Sequence, residues 1–487
     1  MPRELANERL GATTAAAAAL ALVAACASAQ DAPPAQPPAA APSLGAAVAA
    51  RLDDADPVVR GEAALLAALD ATPAVEAKLL ALAKDEQPAA RLRACIALGH
   101  CHRDAALDAL IIGLGDGARG DDDAVAAAFG LGLAGDLGEA AIARVLVAAE
   151  HGNWKRRRDV VLALLLGLQR DAGPTATTAL RRAFDDDSNR DPEVRALLLA
   201  RLVVHDHDLD DKALLRAIER GAPGERLATL HGLATNARAV GGKLLAEVLR
   251  LAEHTLEDAA HAAALATLAR LSHPQAPALA AKALRTGGPA AASEGLRVLR
   301  RLDGAEALRA VTAQLLSERN PARAAALLAA YEAPPPPALR DRCAELAADA
   351  ANPPALRAAA AVLLARAEPA RGAPLALALF RCTDATDALA SLAKALLRDP
   401  AGAPPARATL PEGVDLGHAT TRWSALLAAG HAEALELAVK AVAGDATVAP
   451  PLAALRALRA AFVLPAPAHS ATPATLQRLL AVVDDER

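Results

Sequence analysis

Three short clusters in the sequence carry side chains of the kinds that bind metal ions. Cys95, Cys101 and His102 offer two thiols and an imidazole, which are common zinc ligands. The segment Asp185–Asp191 alternates acidic and amide side chains as a calcium loop does. The segment His205–Asp211 is a second loop rich in carboxylates and imidazoles. These clusters are therefore the first candidates for a metal site.

Each cluster lacks part of the pattern that its chemistry requires. Haem attachment needs C-x-x-C-H, and the C-x5-C-H spacing here is too long. An EF-hand loop needs Gly at its sixth position and Glu at its twelfth, which are Arg190 and Ala196 here. We predict that Cys95 is a core residue, that the acidic loops are solvated turns, and that the protein has no metal and no other cofactor. A Cys95–Cys101 disulfide and metal binding by these clusters are the alternatives.

Motifs for catalysis are scarce in the rest of the chain. The sequence contains no H-E-x-x-H, G-x-S-x-G or Walker motif. Two G-x-G-x-x-G strings, Gly115–Gly120 and Gly130–Gly135, are flanked by helical patterns, whereas a dinucleotide-binding loop follows a strand. We predict that both strings are turns of a repeat. We also predict that the protein has no catalytic residues and is not an enzyme.

The one dense basic cluster comprises Trp154, Lys155, Arg156 and Arg157. Cations at a helix start oppose the helix dipole, so helix stability does not explain the cluster. With an indole beside it, it suits an acidic partner or an anionic surface, and we predict that it binds a partner. The alternative is a solvated helix face, with the next residue, Arg158, in a structural role.

Overall composition favours helices. Hydrophobic residues make up 54% of the chain and aromatic residues only 1%, while Ala and Leu, which are strong helix formers, dominate. A β-sandwich, a β-barrel and a sheet-centred enzyme are therefore disfavoured. The net charge of −5 provides no overall basic field, so no nucleic-acid partner is expected. Because aromatic residues are so few, Trp423 is predicted, like Trp154, to anchor a partner.

The N-terminus has the pattern of an export signal. The segment Leu10–Ala29 carries no charge and follows Arg3 and Arg9. Cys26 follows Val-Ala-Ala, which resembles a bacterial lipobox, whereas Ala27–Ala29 resembles an ordinary cleavage site. We predict export to the periplasm or cell envelope, with Cys26 as a lipid anchor, and cleavage after Ala29 stays open. The alternative is an Ala-rich helix on a cytosolic protein.

A repeated unit occupies most of the remaining chain. Asp56–Leu69 and Asp191–Leu202 both begin with Asp-Pro, which suits a helix N-cap and first turn, and continue with apolar residues at helical spacing. A turn and a second amphipathic helix follow each such helix. Neither helix pair can bury its apolar face alone, so neighbouring pairs must stack. An Arg marks the units at Arg60, Arg91, Arg195, Arg226, Arg323 and Arg357.

These units resemble HEAT-like repeats of the phycobilisome-lyase type, whose pattern is roughly D-P-x-V-R-x-x-A-x-x-A-L-G. The resemblance implies an all-α, right-handed α-solenoid, and the spacing fits about 12 to 13 helix pairs. It also implies a structural role, in hydrogen bonding between successive turns of the stack, for the motif residues Asp56, Arg60, Arg91, Asp191, Arg195, Arg226, Asn320, Arg323, Asn352 and Arg357.

The chain is thus predicted to contain five parts. These are a signal peptide at 1–29, a Pro/Ala-rich tether at 30–43, the solenoid at 44–398, a Pro/Gly-rich loop at 399–418, and terminal helix pairs with a capping helix at 419–487. The predicted function is a non-catalytic scaffold whose curved surface binds a protein or peptide. The alternatives are an enzyme with a site assembled across repeats, and a metal- or glycan-binding module that uses the acidic loops.

Overall fold

The computed structural model describes residues 43–115, 121–149, 154–168, 172–186, 188–205, 209–235, 240–302, 304–382, 386–396, 420–445 and 447–462. Within these ranges the regular elements are helices. The α-helices are α1 Leu44–Ala50, α2 Pro57–Ala67, α3 Pro73–Leu82, α4 Pro88–Leu98, α5 Asp104–Gly115, α6 Asp121–Ala134, α7 Glu139–Ala149, α8 Trp154–Gly167, α9 Pro174–Asp185, α10 Pro192–His205, α11 Asp211–Arg220, α12 Pro223–Thr235, α13 Gly242–His254, α14 Asp258–Arg270, α15 Ala276–Thr286, α16 Pro289–Leu302, α17 Gly304–Ser317, α18 Pro321–Ala330, α19 Pro337–Ala348, α20 Pro354–Ala367, α21 Pro369–Cys382, α22 Thr386–Leu396, α23 Thr420–Ala429, α24 Ala432–Ala443 and α25 Pro451–Phe462.

Several predicted segments lie outside the described residues. These are the signal peptide at 1–29, the loop at 399–418, the capping helix that begins at Thr472, and all but the last residue of the tether at 30–43. The division of the chain into these parts therefore stays a prediction.

Proline and a capping side chain begin many of the helices. The Asp56 carboxylate accepts the N–H of Val58 at 2.8 Å, and Pro57 is the first residue of α2. The Asn320 side chain accepts the N–H groups of Ala322 and Arg323 at the start of α18. These contacts satisfy N–H groups that have no partner inside the helix, which is why the Asp-Pro and Asn-Pro pairs mark helix starts.

The helices form two layers. Successive helices of the first layer pack side by side, and this layer contains α2, α4, α6, α8, α10, α12, α14, α16, α18, α20, α22, α23 and α25. The second layer contains α1, α3, α5, α7, α9, α11, α13, α15, α17, α19, α21 and α24. This arrangement confirms the predicted all-α solenoid of helix pairs.

The two ends of the array meet. Helix α25 packs against α2, and α24 packs against α1. The Arg51 Nε donates to the carbonyl of Val442 at 2.6 Å. Glu62, which is fully buried, lies 3.0 Å from a guanidinium nitrogen of Arg93 and 3.1 Å from one of Arg459. The first layer is thus a closed ring, whereas the repeat pattern alone predicted only a curved array.

Close packing within the first layer depends on small residues. A Cβ added at Gly132 would lie 2.3 Å from the carbonyl oxygen of Leu164, and one at Gly167 would lie 2.2 Å from that of Phe129. Such distances leave room only for glycine, so the backbones of α6 and α8 touch directly. Fully buried alanines such as Ala63 and Ala264 allow a similar approach elsewhere. Abundant Ala is therefore a packing requirement of the stack.

The Gly130–Gly135 string serves this packing. Gly130 and Gly132 lie inside α6, and only Gly135, with φ of +63°, lies beyond it, at the start of the short 3-10 helix Gly135–Gly138. The prediction that the whole string is a turn is therefore wrong, because its first two glycines allow neighbouring helices to touch. Of the other string, Gly115 ends α5 and residues 116–120 lie outside the described ranges.

The helical run Asp121–Ala149 is long and apolar enough to cross a membrane, but 78% of its most apolar window is buried within the stack.

Arginine side chains connect successive pairs in the N-terminal part of the ring. Arg60 donates to the carbonyl groups of Asp54 and Ala55, which lie in the loop before its own helix. It also donates, at 2.8 Å, to the carboxylate of Asp85, which lies in the loop before the next first-layer helix. Arg91 repeats this arrangement: it donates to two carbonyl groups in the preceding loop and lies 2.7 Å from Asp123 in α6. We call this recurring arrangement the arginine ladder.

The arginine ladder continues through the following repeats. Arg158 bonds Asp191 at 2.7 Å, Arg195 lies 3.3 Å from Glu225, and Arg226 lies 2.8 Å from Glu257. In the later repeats the motif arginines bond to backbone carbonyls, and Arg323 also lies 3.1 Å from Glu318 in the loop before its own helix. Arg323 donates to the carbonyl of Leu284, Arg357 donates to that of Ala347 at 3.1 Å, and the Asn352 amide donates to that of Leu346 at 3.2 Å.

Protonation of Asp191 should weaken the arginine ladder. Burial alone would raise the pKa of Asp191, but the N–H of Val194 and the guanidinium of Arg158 outweigh burial and hold this pKa below its ordinary value of 3.8. A carboxyl group with a lowered pKa stabilises the fold above its ordinary pKa, and this stabilisation is lost as the pH falls through the lowered value. Asp191→Asn should therefore lower Tm near neutral pH, and the difference from wild type should shrink below about pH 4.

The measurement is circular dichroism melting from pH 7 down to pH 3, with Asp108→Asn as the matched control. Asp108 is an exposed carboxylate on α5 that lies outside the arginine ladder. A Tm difference for Asp191→Asn that stays constant over the whole pH range would contradict the assigned role of its charge.

Candidate functional site

The predicted basic cluster lies at the start of α8. The side chains of Trp154, Lys155 and Arg156 lie outside the described part of the chain. Arg157 is exposed and free of hydrogen bonds and ion pairs with described residues. Arg158 is engaged in the arginine ladder, and its hydrogen bond to the carboxylate of Asp191 raises its pKa. The two neighbouring arginines therefore differ, since Arg157 can meet a partner and Arg158 holds two repeats together.

Trp423 lies in the core. Its side chain is 0% exposed, and its Nε1 donates to the carbonyl of Ala434 at 3.1 Å, between α23 and α24. The prediction that Trp423 anchors a partner is wrong, because the indole has no accessible surface and its polar atom is already satisfied. Scarcity of aromatic residues made it conspicuous in the sequence, but in a stack built from small side chains the large ring fills interior space.

The thiols of the first cluster are free and buried. Cys95 and Cys101 are not joined to each other, so the alternative of a disulfide between them is wrong in this structure. Burial, assisted by the charge of Glu76, raises the pKa of Cys101 to about 11. Since the thiolate is the form that binds metals and attacks substrates, Cys101 is a protonated, unreactive thiol at neutral pH.

The acidic loops serve helix starts where they are described. One oxygen of the Asp191 carboxylate accepts the N–H groups of Glu193 and Val194 at 3.0 Å, which makes Asp191 the cap of α10. Asp187 and residues 206–208 lie outside the described ranges. Among the residues that are described, no three His, Cys, Asp or Glu side chains form a group that could hold a metal ion.

A cleft of about 320 Å³ opens beside α11, which the sequence did not predict. It lies where α9 ends and α12 begins, so residues from three successive helix pairs form it. The lining residues are Phe184 and Asp185 of α9, Arg195 of α10, Ala213, Arg216, Ala217 and Arg220 of α11, Gly221 and Ala222 after it, and Glu225 of α12.

One wall of this cleft is fixed by Arg195. Its guanidinium carbon lies 4.8 Å from the centroid of the Phe184 ring, which is a cation–π contact. Arg195 also donates to the carbonyl of Phe184 at 3.1 Å and lies 3.3 Å from the Glu225 carboxylate. A residue that connects two repeats thus also shapes the cleft, and its charge is largely neutralised there.

The opposite wall is a single face of α11. Arg216 and Arg220 are four residues apart, so they lie on the same side of the helix, and Ala213 and Ala217, which are also four residues apart, line the cleft with them. Both arginines are exposed, and the small alanines leave the space that forms the cleft. The spacing of these four residues was visible in the sequence, but the wall that faces them depends on the stacking of α9 and α12.

No protein-family model and no curated protein matches the chain. Among solved structures, it is similar to a crystal structure of an engineered protein, with 16% identity and a TM-score of 0.29, and the match covers 85% of this chain and 98% of that one. Crystal structures of Kap121p bound to Nup53p and bound to Pho4p share 15% identity with it, with TM-scores of 0.27 and 0.26. Each of these two matches covers 75% of this chain and 42% of the Kap121p chain, so this chain spans less than half the length of Kap121p.

Proposed function

We propose that the protein is a non-catalytic scaffold that binds a protein or peptide partner through the exposed helices of a closed array. The observation that carries the proposal is a recurring exposed position. The ninth residue is exposed in each of the six second-layer helices from α3 to α13, and these residues are Ala81, Ile112, Val147, Arg182, Glu219 and Arg250.

The residue type at this position changes along the array, whereas the packed helices behind it keep the same arrangement. Ile112 and Val147 are 66% and 44% exposed, which is unusual for large apolar side chains, and the following helices carry charged residues instead. Repeat proteins present extended surfaces of this kind, because the buried residues hold the stack and the exposed ones are free to differ. An apolar part beside a charged part suits an interface with a protein.

The basic cluster is the second part of the proposed interface. Arg157 is exposed at the start of α8, next to Lys155, Arg156 and Trp154 in the sequence. We infer that these four residues contact an acidic region of the partner, because Arg158 alone is needed for the arginine ladder.

We further propose that the protein works in the cell envelope, attached through Cys26. The proposal rests on the uncharged segment Leu10–Ala29 and on the small residues that precede Cys26. A lipid on Cys26 would leave the Pro/Ala-rich segment 30–43 as a spacer between the membrane and the helical array.

Cys26→Ser should abolish the lipid anchor. Labelling of expressing cells with a radioactive fatty acid should mark the wild-type protein, whereas the variant should carry no label and move from the membrane to the soluble fraction. Export without label in both proteins would point to cleavage after Ala29, and a variant that keeps the label would contradict the assignment to Cys26.

Loss of the basic cluster should weaken partner capture. The purified full chain, immobilised, should retain a stoichiometric protein from envelope extracts, detected by mass spectrometry after cross-linking. The variant Lys155→Ser, Arg156→Ser, Arg157→Ser should retain it at least about tenfold less well, because several charged contacts at an interface are lost together.

The control removes three positive charges elsewhere: Arg285→Ser, Arg309→Ser, Arg319→Ser. All three control arginines are exposed and lie outside the cluster. Equal losses for the two triple variants would show that only overall charge matters. A chain that captures no protein at all would refute the scaffold proposal.

A further inference from the structure

The cleft beside α11 contains two positive charges that no described residue pairs with. Arg216 and Arg220 form no hydrogen bond or ion pair in the described part of the chain, unlike the arginines of the arginine ladder. Like charges four residues apart on one helix repel each other and slightly destabilise it. Neither helix stability nor repeat stacking therefore explains why both groups line the same cleft.

The charges of the whole cleft favour a ligand with one negative charge. Three guanidinium groups and two carboxylates line it, which leaves one excess positive charge. Arg195 and Glu225 largely neutralise each other at 3.3 Å. Asp185 is the other carboxylate of the lining, and it would repel a doubly charged group such as a phosphate more strongly than a carboxylate.

The size and floor of the cleft favour a short part of a peptide. Its volume of about 320 Å³ is at the lower end of the range for small-ligand pockets. The buried ring of Phe184 and the side chains of Ala217 and Ala222 provide apolar surface in the same cleft as the charged groups. One side chain with its carboxylate can therefore pack against the floor while the arginines hold the charge.

We propose that this cleft binds a single carboxylate of a partner peptide, between the guanidinium groups of Arg216 and Arg220. The inference rests on the proposed scaffold function and adds the chemistry of one contact. The carboxylate comes either from an Asp or Glu side chain or from the C-terminus of the peptide, and the two sources share the same recognition.

Three peptides in a Ser/Ala background, each labelled with a BODIPY dye that adds no carboxylate, test the proposal by fluorescence anisotropy with the purified full chain. The first has one central Glu and an amidated C-terminus, the second has Gln in place of Glu and the same amide, and the third has Gln and a free C-terminal carboxylate. Low ionic strength is used because exposed charges are then least screened. Either the first or the third peptide should bind, which identifies the source of the carboxylate, and the second should not.

The double variant Arg216→Gln, Arg220→Gln should bind the preferred peptide at least about tenfold more weakly, since charged hydrogen bonds are lost. The control Arg285→Gln, Arg309→Gln removes the same charge from two other second-layer helices and should bind like wild type. An unchanged circular dichroism melt of both variants shows that any loss is not unfolding.

Equal binding of the amidated Gln peptide, or equal effects of the two double variants, would overturn the assignment. Inorganic phosphate that displaces the peptide more effectively than acetate does would also overturn it. If the peptides fail to bind while the full chain still captures a partner through Lys155–Arg157, the cleft assignment is wrong and the scaffold proposal stands.

Discussion

The structure depends on a side chain that bonds in two directions. An arginine near the start of a first-layer helix donates to carbonyl groups in the loop behind it and pairs with an acid at the start of the next first-layer helix. Arg91, between Asp85 and Asp123, shows the arrangement most fully. The loop carbonyl groups are thereby satisfied, and the direction from one helix pair to the next is set. The individual ion pairs are partly exposed, so their value lies in geometry more than in stability.

Closure of the ring covers the apolar faces at its two ends, which capping repeats would cover in an open array. A linear stack must cover the apolar faces of its first and last pairs, whereas here α25 and α2 cover each other. The contact includes Glu62, which is buried between Arg93 and Arg459. A buried carboxylate is costly unless it is paired, and loss of one partner of such a pair typically costs about 3–5 kcal/mol. Glu62 therefore favours one particular junction between the two ends.

The local features of the fold were predictable, because each one lies within a few residues of sequence. Asp56 before Pro57 predicted a helix start, and the spacing of apolar residues predicted paired helices. The closed ring could not be predicted in this way, since Arg51 and Val442 are 391 residues apart and no periodicity relates them. Trp423 shows the same limit, because the scarcity of tryptophan in the sequence does not indicate which side of the helix faces the interior.

The candidate site was likewise only partly predictable from the sequence. The side chains of α11 that line the cleft follow from helical spacing, but the opposing wall requires α9 and α12 in their stacked positions. Gly130 and Gly132 likewise matched a loop motif in the sequence, although their role is the contact between neighbouring helices. Short motifs in a repeat protein are therefore best interpreted after the stacking is known, because the stack decides which residues are accessible.

The measurement that tests the closed array most directly is a distance between spin labels placed on its two ends. Ala50→Cys and Ala443→Cys are exposed positions next to Arg51 and Val442, and Cys26 and the exposed Cys382 would be replaced by serine in the full chain. Double electron–electron resonance should give one narrow, short distance, as expected for helices in contact. A broad distribution centred at a distance comparable to the length of an open array would contradict closure.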